Sequence, residues 1–229
     1  MTGNPTRNEG PADADADATL AAIARVGVNA DADRRSKQGY LRWLPKQGRV
    51  LDIGCGEGSF LDVARAAGLQ PVGIDRDVRT AQQRGHEAHA GSAQQVLHAM
   101  AAAGRQFDAA VLAHTIEHMG GTEALRLLQA IAGVLPPGTP LVVVTPNSKN
   151  HIVLSELFWL DPTHVRPYPR ALLERLLVAS GFAVIASFDD ANTRPTRSLW
   201  RAGIARLRSA LSGVDKCGPL DSIVVGQRR

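Results

Sequence analysis

The chain has 229 residues, 44% of them hydrophobic, which is enough for one domain with a substantial core. Its 26 basic and 22 acidic residues give a formal net charge of +4, but after residue 193 eight basic side chains stand against only two acidic ones. The positive charge is therefore local, which argues against a general nucleic-acid-binding protein, and we expect no nucleic-acid partner.

The N-terminal part contains a run of alternating alanine and aspartate at 12–17 and has almost nothing to bury. We expect a disordered tail over 1–18 and one domain over 19–229, whose first part is two helices at 19–28 and 31–44. No apolar run approaches the ~20 residues that span a bilayer, and no secretory signal is evident. The two cysteines lack metal or disulfide spacing, so the sequence predicts a cytoplasmic location.

From Arg49 onward, short apolar segments typical of strands alternate with longer helical segments. The strands are predicted at 49–53, 71–75, 86–89, 107–112, 139–145, 182–187 and 221–227. The helices between them are predicted near 58–67, 78–84, 93–103, 121–135 and 170–180. Because parallel neighbours need long return connections, the alternation predicts an α/β, Rossmann-like, doubly wound sheet of seven strands, mostly parallel with a last antiparallel strand.

The most informative segment, VLDIGCGEGSFLDVA, contains three alternate glycines between a strand and a helix. Gly54, Gly56 and Gly58 allow positive φ angles and let a ligand approach the backbone without meeting a Cβ. A dinucleotide-binding G-x-G-x-x-G motif would place its third glycine at position 59, which is serine. The spacing therefore argues against a dinucleotide.

Carboxylates flank this turn. Asp52 and Glu57 lie where a pyrophosphate would bind, and they repel phosphate but tolerate the sulfonium and ammonium of S-adenosylmethionine. Asp75 ends the next strand, 17 positions after Gly58, where a carboxylate can accept both ribose hydroxyls. We therefore expect S-adenosylmethionine as the cofactor, and the alternative is a nucleotide-binding fold of another kind.

Together with FDAAVL at 107–112 and HTIEH at 114–118, these segments resemble class I S-adenosylmethionine-dependent methyltransferases over about residues 40–190. The resemblance implies cofactor contacts at the ends of the first four strands. These are Asp52, Gly54, Cys55, Gly56, Gly58, Asp75, Arg76, Ser92, Ala93, Ala113 and His114. Ser92 departs from the family pattern, which often has an aspartate facing the adenine amino group at this place.

Methyl transfer is an in-line displacement, so the protein mainly has to align the acceptor and, for a hydroxyl, remove its proton. The candidate proton acceptors are His114, His118, His164 and Glu117. His114 and His118 are four positions apart, as metal ligands on a helix often are. Their segment starts as a strand-to-loop junction and no third ligand stands nearby, so we predict no metal. In the alternative interpretation, one of His114 and His118 packs against the protein and the other faces the pocket.

The proline-rich loop (158–169), FWLDPTHVRPYP, contains three prolines that stiffen it. It precedes the helix before the sixth strand, so we expect it to overhang the acceptor pocket. We expect His164 to accept the proton or position the acceptor, and Arg166 and Tyr168 to contact an anionic or polyhydroxyl substrate. Alternatively, Asp161, His164 and Arg166 only hydrogen-bond the loop together.

A basic insertion at 194–216 separates the sixth and seventh strands and contains a predicted amphipathic helix at 197–211. Two interpretations stay open for this helix. It packs on the sheet as a lid or dimer surface, or it lies peripherally on the anionic inner membrane surface.

The proline-rich loop is similar to one in methyltransferases of bacterial polysaccharide and O-antigen pathways. This resemblance implies methyl transfer to a hydroxyl or terminal phosphate of a saccharide or glycolipid-type acceptor. A histidine in the loop is also similar to one in quinone-pathway O-methyltransferases, so a small aromatic or quinone-like acceptor is the alternative. A third hypothesis is a non-catalytic, cofactor-binding regulatory protein.

Overall fold

The computed structural model describes residues 30–193 and 218–229. The predicted tail at 1–18, the predicted helix at 19–28 and the amphipathic helix at 197–211 lie outside these residues. The described part contains one seven-stranded sheet. Its strands are β1 (Arg49–Ile53), β2 (Gln70–Asp75), β3 (Glu87–Ala90), β4 (Ala109–Ala113), β5 (Pro140–Pro146), β6 (Phe182–Asp189) and β7 (Asp221–Arg228).

The strand order is β3-β2-β1-β4-β5-β7-β6, and the first five strands of the chain pair in parallel. β7 lies between β5 and β6 and is antiparallel to both, which confirms the predicted antiparallel last strand. Because β7 runs the other way, it begins where β5 ends, with Asp221 beside Pro146. We call the side where β1–β5 end the carboxyl edge.

Helices cover both faces of the sheet, as predicted for a doubly wound fold. They are α1 (Ala30–Tyr40), α2 (Ser59–Ala66), α3 (Arg79–Gln83), α4 (Ala93–Ala102), α5 (Gly121–Ala132), α6 (His151–Ser155) and α7 (Arg170–Ala179). Tyr40 of α1 and Phe60 of α2 pack on one face with Val50. Leu97 of α4 and Leu128 of α5 pack on the other face in a separate core cluster.

Two predicted helices end three or four residues earlier in the structure. The helix predicted at 31–44 ends as an α-helix at Tyr40 and continues as a 3-10 turn over Leu41–Trp43. The helix predicted at 121–135 ends at Ala132, since a glycine follows at once and a proline pair three residues later cannot continue it. None of the helices in the described residues has the length and apolarity that a membrane crossing requires.

Candidate active site

The glycine turn after β1 has the backbone that its sequence predicts. Gly54 and Gly56 have φ angles of 80° and 50°, in the left-handed region. A Cβ added at Gly54 would clash with the hydroxyl of Thr115, which donates to the carbonyl of Ile53. A Cβ added at Gly56 would meet no atom within 4 Å. Gly54 is therefore required by the fold itself, whereas Gly56 leaves open space at the carboxyl edge.

Two of the predicted cofactor residues face the protein. Gly58 caps α2 with a φ of 86°, and an added Cβ would lie 3.3 Å from Cβ of Ala81. Cys55 is buried, and its Sγ would lie 2.6 Å from a Cβ added at Gly73. Gly58 thus serves close packing, and only the backbone of Cys55 is left to line the turn.

The end of β2 is fastened to the glycine turn. One carboxylate oxygen of Asp75 accepts from the backbone N–H of Gly56 at 2.8 Å, and the other accepts from the backbone N–H of Asp77 at 3.2 Å. The backbone N–H of Gly91, just after β3, donates to the carbonyl of Asp75 at 2.9 Å. Ser92 follows Gly91 at the start of α4 and is exposed. Arg76 and Ala93 lie along the same edge of the sheet.

Asp52 is a buried carboxyl group on β1, with only 3% of the residue exposed. Burial is the largest cause that raises its pKa, and nearby Asp75 adds to it. The ammonium of Lys37 opposes both, and the result is a pKa of about 7. This carboxyl is therefore poised to ionise fully when a cation binds beside it.

Lys37, on α1, is a candidate site residue that the sequence did not indicate. Its ammonium donates to the carboxylate of Asp33 at 2.8 Å and to the hydroxyl of Ser59, at the N-terminus of α2. Ser36, one residue earlier, donates to Asp190 at 3.1 Å and so holds α1 against the end of β6. Lysines on exposed helices are common, so only the packing of α1 identifies this one.

His114 follows β4 directly and forms part of the carboxyl edge. It is the one non-glycine residue with positive φ (50°) in the described ranges, a strained conformation that clusters at functional sites. Its Nδ1 lies 3.4 Å from Oε1 of Glu117, and its Nε2 lies 3.6 Å from Oδ2 of Asp221. The antiparallel course of β7 supplies Asp221 here.

The charge of the His114 ring follows from these neighbours. The surrounding protein desolvates the ring, which by itself lowers its pKa. The carboxylates of Asp221 and Glu117 outweigh this effect and raise the pKa well above the ordinary value. The side chain is 42% exposed, as expected for a ring that lines a cleft. A protonated ring donates hydrogen bonds, which argues against the predicted role of His114 as a proton acceptor.

The proline-rich loop folds onto the segment after β4. The backbone N–H groups of Val165 and Arg166 both donate to the carbonyl of Glu117, at 2.9 and 3.3 Å. The rings of His118 and His164 come together with their centroids 4.7 Å apart. Two of the three predicted catalytic histidines are thus neighbours, although 46 positions separate them in the chain.

Tyr168 differs from its predicted role as a substrate contact. Its ring is fully buried, and its hydroxyl donates to the carbonyl of Met119 at 2.8 Å. The side chain therefore supports the loop and is closed to a substrate in this structure. The guanidinium of Arg166 lies over this ring, 5.1 Å from its centroid, and the residue is exposed. The role of Arg166 as a substrate contact stays a prediction.

Comparisons with known proteins agree with this geometry. A family model described as "Methyltransferase domain" matches residues 28–187. Among curated proteins none matches the sequence. A solved S-adenosylmethionine-dependent methyltransferase from Archaeoglobus fulgidus is 19% identical, with a TM-score of 0.74, and the match covers 92% of this chain and 99% of that one.

Two further structures have the same fold. One is the 1,6-didemethyltoxoflavin-N1-methyltransferase of Burkholderia thailandensis with bound S-adenosylhomocysteine, at 16% identity and a TM-score of 0.65, covering 99% of this chain and 93% of that one. The other is an O-methyltransferase family protein from the same organism, at 15% identity and a TM-score of 0.53, covering 93% and 56%. At these identities the likeness shows the fold.

Proposed function

The chain belongs to the methyltransferase-domain family, and on that premise we propose that it transfers the methyl group of S-adenosylmethionine to a hydroxyl of a saccharide or glycolipid-type acceptor. The observation that carries the proposal is the open space at Gly56, whose backbone N–H donates to Asp75, together with the neighbouring buried carboxyl group of Asp52. Acidic groups around a glycine turn suit a cationic nucleoside and disfavour a phosphate.

Each part of the cofactor has a complementary group along the carboxyl edge. Asp52 would bind its ammonium, Lys37 its carboxylate, and Asp75 its ribose hydroxyls. The backbone of Gly56 would lie against it, and Ser92 and Ala93 would line the adenine side. Ala113 and His114, where β4 ends, would lie beneath the sulfonium. When bound, S-adenosylmethionine supplies a methyl group on a good leaving group.

The acceptor proton needs a base, and the histidine pair provides one. Nδ1 of His164 is 2.5 Å from the carbonyl of Phe158, so this nitrogen donates, and Nε2, which lies 3.7 Å from Oδ2 of Asp161, keeps its lone pair. The proposed base is Nε2 of His164, with His118 beside it. Both rings can contact the acceptor hydroxyl and position it.

The surroundings of the proline-rich loop suit an acceptor with a polar and an apolar part. Trp159 and Leu160 are 58% and 68% exposed, and Leu157 beside them is also exposed. Exposed apolar side chains next to a polar site favour a sugar carried on a lipid-like group. The same surface also fits a small aromatic or quinone-like metabolite, which is the second candidate acceptor. Peripheral membrane contact by residues 197–211 stays a prediction.

Two measurements test the proposal on the full-length protein. Calorimetric titration with S-adenosylmethionine is expected to show one site, and methyl transfer is then assayed on sugars, lipid-linked glycans and phenols in parallel. Turnover on the glycans supports the first acceptor class, and turnover only on phenols supports the second. Cofactor binding without turnover on any acceptor favours a regulatory protein. No cofactor binding would overturn the proposal entirely.

A further inference from the structure

Three side chains with metal-ligating atoms meet beside the proposed acceptor site. Glu117, His118 and His164 each offer one nitrogen or oxygen atom, and these atoms all lie within 4.8 Å of one another. The sequence has only His114 and His118 at a ligand-like spacing. The fold supplies a different third partner, because the proline-rich loop brings His164 against His118.

Both histidines are held in the way that metal ligands usually are. His164 donates its Nδ1–H to the carbonyl of Phe158 at 2.5 Å. Nδ1 of His118 lies 2.8 Å from the hydroxyl of Thr163, and that hydroxyl donates its own proton to Asp161 at 2.6 Å. His118 is therefore the donor to Thr163. Both rings then keep a lone pair on Nε2, which in His164 lies 3.7 Å from Oδ2 of Asp161, and backbone or side-chain acceptors fix their orientation.

Glu117 is the third member, and its carboxyl group lacks a full set of partners. The side chain is 0% exposed. Oε2 is 3.4 Å from the hydroxyl of Thr145, whereas Oε1 accepts no hydrogen bond. The nearest cation to Oε1 is Nδ1 of His114 at 3.4 Å, an ion pair that does not meet hydrogen-bond geometry. The ion pair with His114 offsets part of the charge of this buried carboxylate, but Oε1 still has no hydrogen bond and can serve as a metal ligand.

We propose that Glu117, His118 and His164 bind one divalent transition-metal ion, with Zn²⁺ as the best match. Two imidazole nitrogens and one carboxylate oxygen are the ligands of many open zinc sites, in which water or substrate takes the remaining position. Magnesium and calcium prefer all-oxygen sets, so two histidines disfavour them.

The consequence for catalysis rests on the proposed function. With the ion present, His164 is a ligand rather than the base, and the acceptor hydroxyl binds at the open coordination position. Coordination lowers the pKa of that hydroxyl, and its proton passes to solvent in the cleft. Without the ion, Nε2 of His164 receives the proton directly.

The test uses untagged, full-length protein stripped of metal with a chelator. Calorimetric titration with Zn²⁺ is expected to give one ion per chain. The variants His118→Ala and His164→Ala should each weaken binding by more than about 100-fold, because loss of an outer hydrogen-bond partner alone weakens it by roughly 10–100-fold. Thr163→Val, which removes such a partner, should fall in that smaller range. His98→Ala, on an exposed face of α4, is the matched control.

Cobalt substitution gives a second readout that does not depend on activity. Co²⁺ in this site should show visible absorption bands that His164→Ala abolishes and His98→Ala leaves unchanged. Absence of zinc binding, or equal binding by His118→Ala, His164→Ala and the unchanged protein, would overturn the metal site. S-adenosylmethionine titration of each variant checks its fold. If the protein binds S-adenosylmethionine but no zinc, only the metal site is refuted. If it binds zinc but no S-adenosylmethionine, only the proposed function is refuted.

Discussion

The backbone N–H of Gly56 donates to the carboxylate of Asp75 at 2.8 Å, which ties the turn after β1 to the end of β2. The two residues are 19 positions apart: Gly56 lies in the turn after β1, and Asp75 ends β2, the neighbouring parallel strand. The same carboxylate is proposed to bind the ribose, so a single group would both shape the turn and hold the ligand.

Replacement of this carboxylate therefore affects both roles. Asp75→Asn keeps the shape of the side chain but loses its charge and one acceptor oxygen. We expect the dissociation constant for S-adenosylhomocysteine to rise by roughly 10–100-fold, the range for loss of hydrogen bonds to a charged group. Asp77→Asn, at an exposed carboxylate two residues on, is the control in the same titration. Equal effects of the two changes would contradict a specific role for Asp75.

The glycine turn offers a matched pair of substitutions. Gly54→Ala combines positive φ with a clash against Thr115, and we expect the free energy of unfolding to fall by roughly 2–5 kcal/mol. Gly56→Ala meets no protein atom and should cost only about 1–2 kcal/mol of strain. Its main effect should be on the affinity for the ligand, because the added methyl group fills the space through which the ligand approaches the backbone.

Denaturant unfolding and calorimetric titration of both variants separate these effects. Gly56→Ala should remain folded and bind S-adenosylhomocysteine at least about 10-fold more weakly, because the ligand loses its close backbone approach. Unchanged binding by Gly56→Ala would show that no ligand lies against this turn.

The pKa of about 7 at Asp52 predicts a pH-dependent affinity for the cationic cofactor. Below that pKa the carboxyl is mostly neutral and attracts the ammonium weakly, and above it the carboxylate is formed. We expect affinity for S-adenosylmethionine to rise from about pH 6 to about pH 8. Asp52→Asn should bind more weakly and lose this dependence. An equally steep pH profile in Asp52→Asn would assign the effect to another group.

Asp52 should also make the stability of the folded chain depend on pH, but stability should fall as the pH rises, whereas cofactor affinity rises. Its pKa in the folded chain lies above the ordinary value of 3.8, so the unfolded chain ionises first as the pH rises. The native state therefore loses stability between about pH 4 and pH 7, by roughly 2–4 kcal/mol. Asp52→Asn removes this loss and should unfold at higher denaturant concentration than the unchanged chain at pH 8, but not at pH 4. A less stable variant at pH 8 would refute this.

Lys37 is expected to recognise the carboxylate end of the cofactor. Lys37→Met should weaken binding of S-adenosylhomocysteine by about 10-fold or more, as expected for a charge-assisted hydrogen bond. It should leave the affinity for 5′-methylthioadenosine, which lacks the carboxylate, unchanged. Lys46→Met, at an exposed lysine outside the site, is the control. A similar loss with both ligands would indicate a structural role for Lys37 through Asp33 and Ser59.

The exposed apolar side chains of the proline-rich loop are expected to bind the apolar part of the acceptor. The double change Trp159→Ser and Leu160→Ser should raise KM for a lipid-linked acceptor by about 10-fold or more and leave kcat nearly unchanged, since these contacts persist through the reaction. KM for the matching acceptor without the apolar group should not change. Ile185→Ser, at an exposed position of β6, is the control, because it makes the same kind of polar change away from the loop.

Much of the fold and half of the site follow from local patterns in the chain. A buried strand is an apolar run in the sequence, and a turn with positive φ favours glycine. The seven strands and the segment from Asp52 to Gly58 can therefore be predicted from the sequence alone. The place of Asp75 beside the glycine turn can also be predicted, because parallel strands end at the same edge of the sheet and the next strand ends in this carboxylate.

The remaining site residues depend on contacts between distant parts of the chain. Asp221 reaches His114 only because β7 runs antiparallel beside β5. Lys37 reaches the N-terminus of α2 only through the packing of α1. No local pattern contains such contacts, because they arise from burial of the two faces of the sheet.

Tertiary packing also decided the role of individual side chains. Tyr168 became a buried support, and Gly58 a packing glycine, although their sequence surroundings suggested ligand contacts. His164 joined Glu117 and His118 because the stiff loop docks on the segment after β4. The sequence by itself determined the strand-and-helix alternation and the acidic glycine turn, since both depend on neighbouring residues. The orientation and pairing of side chains were decided only by the three-dimensional sheet order, which sets distances across the chain.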